Sequence, residues 1–305
     1  MDRVEVAGDR IRDIVNDPRR RHALMQNRQR WLQLCSAMDA IGDTQLAVRA
    51  YLDEPLKDVD SNGWSYVVVY GILQVLYVQQ DAAKVLASAL RLPFELPDDL
   101  VTIRELRNDS IGHAAVRGAF ISRMSLSQEG FQLLMPIRKG KQEIRGINLR
   151  TVADQQTDIM GSLLERALEQ LVADELEHRK KFRAHPLRGL CGGLGYAVEK
   201  ISAGLTDAGE VPMAMGGVDV VADAVAKFRG AIEERGLTEA YADSVGDTMA
   251  EIDFALERLV PRLKGAHADW TPRDVEVYRF FLAAKVNELK SLAKEIDDDY
   301  DSDEV

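Results

Sequence analysis

One nine-residue stretch, Glu105-Leu106-Arg107-Asn108-Asp109-Ser110-Ile111-Gly112-His113, gathers a cation, an amide, a carboxylate and an imidazole. These types at this spacing suit the cleavage of a phosphodiester. A guanidinium holds a phosphate through its bidentate fork. An imidazole moves a proton to or from a ribose hydroxyl near neutral pH. On a helix turning roughly 100° per residue, Asp109 and His113 fall one turn apart on one face. Arg107 and His113, six residues apart, lie roughly 120° from each other round the helix. Gly112 loosens the last turn and lets the imidazole swing toward the arginine. The same residues also admit a purely structural reading, in which Arg107 pairs with Glu105 or Asp109 at the surface and His113 ends a helix.

Three helices must carry this stretch into place. A polar lead-in precedes the first, with Arg19, Arg20, Arg21 and His22 as a solvated arm or a track for an RNA backbone. A long helical pattern spans residues 23–56, with Leu24, Trp31, Cys35, Met38, Ala47, Val48 and Tyr51 at mixed spacings. Pro55 and a polar loop at 58–63 stop it. A second helix runs over 64–92. Its stripe reads Trp64, Val68, Ile72, Val75, Val78, Ala82, Leu86, Leu90, and Val69, Tyr70, Leu73 and Tyr77 lie on its other sides. A helix apolar nearly all round belongs at the centre of a bundle or in a dimer interface. Pro93 and Pro97 bracket a connector. The third helix starts at Asp98 or Asp99 and runs through Leu100, Ile103, Leu106 and Ile111. The period then changes to two, which predicts a β-hairpin near 119–137 turning at Gln128-Glu129-Gly130. Pro136 places its return strand at a sheet edge. A basic loop follows, with Arg138, Lys139, Lys141 and Arg145.

Arginine, a polar residue, then a histidine near the end of a bundle helix resembles the defining motif of the HEPN (higher eukaryotes and prokaryotes nucleotide-binding) superfamily. Here Arg107 and His113 have five residues between them, and Asn108 fills the polar slot. Two long helices before the motif and a hairpin after it fit the same pattern. The resemblance covers about residues 20–150. It implies a metal-independent endoribonuclease. Arg107 would position the scissile phosphate, and His113 would act as general base or acid in attack by the 2′-hydroxyl. The product would be a 2′,3′-cyclic phosphate. Asn108 would orient the histidine or the ribose. Asp109 beside His113 is compatible with a catalytic or a non-catalytic role. Two copies of the motif would meet in a homodimer.

The second half reads as helical throughout. A long helix covers 151–182. A looser segment with Gly192, Gly193 and Gly195 reads as a hinge, since neither a preceding strand nor a Gly-Lys-Ser/Thr ending marks a phosphate loop. Three further helices follow, the last capped by Thr271 and opened by Pro272. His178, Arg179, Lys180, Lys181, Arg183, His185 and Arg188 form a second basic cluster, as expected either for a phosphate or for the end of a helix.

Net charge is −11, at face value an argument against a nucleic-acid partner. Residues 1–150, however, hold 21 basic and 19 acidic side chains, a net of +2. Seven acids lie between Glu295 and Val305, and without them the chain stands at −4. The expected class is therefore all-α: a HEPN-like helical bundle with a small β-hairpin over 1–150, a second helical bundle over 151–294, and an acidic disordered tail over 295–305. The tail or the C-terminal domain is expected to cover the basic motif face and compete with RNA. The longest nearly apolar stretch, Val67 to Val78, is interrupted by Gln74 and too short to span a bilayer. The N-terminus has no signal core, so a soluble cytoplasmic protein with no membrane contact is expected. Two cysteines, Cys35 and Cys191, exclude a disulfide framework. His178 and His185 lack partners at zinc-site spacing, so neither metal nor cofactor is expected. The expected partners are RNA, a second copy and a regulatory protein, with a role in toxin action or antiviral defence. The alternative is a non-catalytic HEPN-like module that engages a protein or nucleotide through its helical domains.

Overall fold

The computed structural model describes residues 2–53, 62–112, 123–127, 130–136, 142–266 and 270–302. The protein is all-α with a small antiparallel sheet. It divides into two compact units, one of Met1–Asp17 with Leu24–Val172, the other of Pro18–Ala23 with Ala173–Val305. The sequence puts this boundary at 150. Helix α6 (Leu149–Arg183) contributes to both units, so no linker composition marks the division.

The first unit opens with α1 (Arg3–Asn16), which the sequence reading takes as polar lead-in. Charges at Arg3, Glu5, Asp9, Arg10, Arg12 and Asp13 hide a buried stripe of Val4, Ala7, Ile11, Ile14 and Val15. Asp2 caps it: Oδ1 accepts from the Glu5 N–H at 3.0 Å, and Glu5 answers at the Asp2 N–H. The pattern over 23–56 is broken. α2 (Pro18–Met25) ends before α3 (Arg28–Asp53), where Asn27 Oδ1 accepts the Arg30 N–H at 3.0 Å. α3 packs along α4 (Asn62–Leu90), and α5 (Asp98–Arg107) buries Leu100 and Ile103 beside it. α4 ends as Arg91 turns left-handed (φ 58°) and the Leu92 N–H reaches back to Ala87 O at 2.9 Å.

The core face of α4 is Val69, Ile72, Leu73, Leu76, Ala82, Ala83 and Leu86, which keeps Ile72, Ala82 and Leu86 of the expected stripe and adds Val69, Leu73, Leu76 and Ala83. Trp64 (59% exposed) and Val78 of that stripe face outward, as does Val67.

The sheet has three strands rather than two: β1 (Arg123–Ser127), β2 (Gly130–Pro136) and β3 (Gln142–Asn148), in that order, both pairs antiparallel. β2 is therefore central, which corrects its expected edge position. Pro136 is its last residue, where a missing N–H costs little. Arg145, expected in a basic loop, pairs with Leu133 inside β3. Gln142, Glu143 and Asn148 disguised that strand. Phe131 and Leu133 bury the inner face.

A chain of amides crosses this unit's interior. Gln45 Nε2 donates to Asp2 Oδ2 (2.8 Å), Gln79 Nε2 to Gln45 Oε1 (2.8 Å), Gln156 Nε2 to Gln79 Oε1 (2.9 Å) and Gln80 Nε2 to Gln156 Oε1 (2.8 Å). All four glutamines are buried. Buried amides are tolerated when hydrogen-bonded in this way.

The second unit is a helical bundle. After a 3-10 turn (Leu187–Cys191) come α7 (Leu194–Thr206), α8 (Val211–Glu234), α9 (Asp247–Leu263) and α10 (Pro272–Asp301). Gly192 and Gly193 of the expected hinge stand between the 3-10 turn and α7, which takes up Gly195. Gly193 turns left-handed (φ 80°) to launch it, and Leu194, Ala197, Val198 and Ile201 are buried. Thr271 and Asp274 form a capping box with Pro272 at the first helical position. The expected disordered tail is corrected over residues 295–301, because α10 stays helical to Asp301; residues 303–305 lie outside the described residues. Ile296, Asp297 and Tyr300 are buried, so a helical stripe holds the acidic residues from Glu295 to Asp301. No helix among the described residues is long and apolar enough to cross a membrane.

Candidate functional site

Arg107 is the last residue of α5, and the chain then widens into a π turn at Asn108–Gly112. This replaces the regular helix end that the 100° spacing assumes. Ser110, buried in that turn, donates to Leu106 O at 2.7 Å. π turns of this kind recur at functional sites.

Arg107 is half-buried and held on three sides. Nε and Nη2 both donate to Gln74 Oε1, at 3.2 and 2.8 Å. Nη1 donates to Asn108 Oδ1 at 3.1 Å. Its guanidinium carbon lies 4.6 Å from the centre of the Tyr77 ring. Arg104 shares that ring at 3.9 Å and donates to Asp81 Oδ1 at 2.7 Å. Three of the five Arg107 N–H groups are thereby engaged with the protein. Asn108 thus contacts the arginine, where the resemblance gives it the histidine or the ribose. Asp109 stands half-buried on the π turn. His113 lies outside the described residues.

Gln74, Tyr77 and Arg104 belong to this site and were not singled out from the sequence. Gln74 had left a trace, as the interruption of the apolar run Val67 to Val78. Tyr77 read only as one more apolar residue of the second helix, and nothing in the pattern drew attention to Arg104.

Beside Arg104 lies a cleft of about 370 Å³. Gln80, Asp81, Lys84 and Arg104 come from α4 and α5, and Phe94, Glu95 and Leu96 from the connector between them.

The second basic cluster is engaged within its own unit. Buried Glu175 receives Arg19, Arg20 and Arg179. Burial raises its carboxyl, but Arg19 and Arg20 together outweigh burial and hold it below the usual range. His178 Nε2 lies 3.0 Å from Tyr300 Oη. Burial, then the Arg19 charge, pulls His178 down to about 4, and burial pushes Tyr300 up to about 12. Arg183 Nε donates to Tyr300 O at 2.6 Å, and Arg179 Nη1 to Asp299 O at 3.1 Å. Asp297 accepts the backbone N–H groups of Leu187 and Arg188, both at 2.8 Å. The run 178–188 therefore closes the end of α10. Among the described residues, no group of three His, Cys, Asp or Glu side chains forms a metal-holding set.

No family model, curated protein or solved structure matches the chain.

Proposed function

We propose that the protein is a metal-independent endoribonuclease of the HEPN type. Arg107 binds the scissile phosphate, and His113 moves the proton as the 2′-hydroxyl attacks to leave a 2′,3′-cyclic phosphate. Asn108 steadies Arg107, and Asp109 supports the imidazole. The observation that carries this reading is the fixed, half-buried guanidinium of Arg107. Gln74 and Tyr77 pre-orient it at little entropic cost, as phosphate binding in catalysis requires. The exposed Trp64, Val67 and Val78 on α4 support pairing with a second copy. A toxin or antiviral-defence role in the cytoplasm, restrained by a regulatory protein, follows from such an activity.

Incubating the purified protein with labelled RNA in EDTA tests this directly. Cutting that is lost in His113→Ala supports the site. Cutting that survives in His113→Ala removes it.

The second reading is a non-catalytic HEPN-like module that engages a protein through its helices. It is favoured by an apolar strip on α10, where Val277 and Phe280 are 59% and 60% exposed. No cutting of any RNA by either form of the protein supports it.

A further inference from the structure

The amide chain has a direction, and the direction is forced. Asp2 as a carboxylate only accepts, so Gln45 must turn its nitrogen toward it. Leu76 O also only accepts, and Gln156 Nε2 donates to it at 2.8 Å. The Gln156 carbonyl oxygen is thereby assigned to Gln80 Nε2. Turning any amide over would set donor against donor or acceptor against acceptor. The far end of the chain is thus an acceptor, Gln80 Oε1. That oxygen is buried and has no hydrogen-bond partner. Gln80 forms part of the cleft wall. Gln80 thus carries both the chain's last, unpartnered acceptor and a part of the cleft wall, and a group seated in the cleft lies beside it. Phe94, Glu95 and Leu96, which line the same cleft, lie outside helix and strand.

The rest of the wall narrows the ligand's chemistry. Asp81 and Glu95 add carboxylate acceptors, Phe94 offers a ring face, and Lys84 and Arg104 offer cations. A volume of about 370 Å³ suits one small flat ligand. Among nucleobases, adenine and cytosine present one amino donor and uracil one imino donor. Guanine presents adjacent N1–H and N2–H donors on one edge, the pattern that an acceptor-rich wall matches.

We propose that this cleft is a guanine-selective base subsite. The N1–H/N2–H edge meets the Gln80, Asp81 and Glu95 acceptors, and the ring stacks on Phe94. The attached phosphate meets Lys84 and Arg104. Because Arg104 and Arg107 share the Tyr77 ring, the base lies next to the phosphate that Arg107 holds. The assignment of that phosphate rests on the ribonuclease reading; the base subsite itself does not.

The test titrates guanosine, adenosine, cytidine and uridine 5′-monophosphates into the full-length protein by calorimetry. Cleavage products of an unstructured RNA are mapped in parallel. The guanosine nucleotide should bind at least about fivefold tighter than the others. Phe94→Ala and Glu95→Gln should each weaken it roughly tenfold, with thermal midpoints unchanged. Equal binding of all four nucleotides, or wild-type affinity in both variants, overturns the subsite. Guanosine binding without RNA cutting supports the subsite and removes the ribonuclease reading. Cutting that depends on His113 but ignores guanosine does the reverse.

Discussion

Arg107 grips one oxygen of Gln74 with two of its nitrogens, Nε at 3.2 Å and Nη2 at 2.8 Å. This fork fixes the plane of the guanidinium against α4. Gln74→Leu keeps the volume and removes the acceptor. RNA cutting should fall about tenfold or more, while stability drops by about 1 kcal/mol. Cleavage rates and a urea melt measure the two separately. Unchanged cutting would show that Arg107 needs no such orientation.

Asp297 ties α10 to the 3-10 turn by accepting two backbone N–H groups at 2.8 Å. Asp297→Ala strands both donors in a buried place. The expected cost is about 2–3 kcal/mol in urea denaturation. Asp297→Asn keeps one acceptor and should cost less. A surface acid such as Asp298 should change stability little when replaced by Asn.

Stability should fall on mild acidification. The His178 imidazole titrates at about 4 in the folded protein, below its ordinary range. A depressed histidine makes the unfolded chain bind more protons. Its contribution is complete above about pH 6.5 and is lost as pH falls toward 4. Glu175, also depressed, loses its contribution as pH falls below the ordinary carboxylate range. The histidine alone should account for ~1–2 kcal/mol after screening. Denaturation series between pH 7 and pH 4, with His178→Gln, measure this. A variant that loses stability as steeply as the wild type would contradict it.

Gly204 at the α7–α8 contact and the exposed Gly216 on α8 should respond oppositely to alanine. A Cβ on Gly204 would overlap Ala214 Cβ, whereas one on Gly216 meets nothing. Gly204→Ala should destabilise by about 1–3 kcal/mol. Gly216→Ala should stabilise by roughly 0.5–1 kcal/mol, since alanine is the better helix former. Thermal melts of both settle the sign.

If α4 pairs with a second copy, Trp64→Gln with Val67→Gln should shift the protein to monomer. Sedimentation velocity over a tenfold concentration range measures that, and RNA cutting should fall in step. A wild-type monomer would remove the homodimer.

The helical class was legible because stripes such as Val218, Val221, Val225, Phe228 and Ile232 bury the residues their spacing names. α1 and α7 were not legible. Dense charge masked one and glycines masked the other. β3 escaped because its polar residues resemble a loop. Asp297 looked like part of a solvated acidic run, and only the backbone N–H groups of Leu187 and Arg188 reveal its task. At the site, Arg107 and Asn108 announced themselves by type. Gln74, Tyr77 and Arg104 lie 33, 30 and 3 positions from Arg107, and only the packing of α4 on α5 brings them together.

The directed amide chain also constrains how this protein can change over generations. Replacing one glutamine by leucine leaves its neighbour's donor or acceptor stranded, which is worse than either an intact chain or a wholly apolar core. No path of single neutral steps leads from one to the other. Asp2, Gln45, Gln79, Gln80 and Gln156 should therefore be inherited as a block in related chains, kept together or exchanged together.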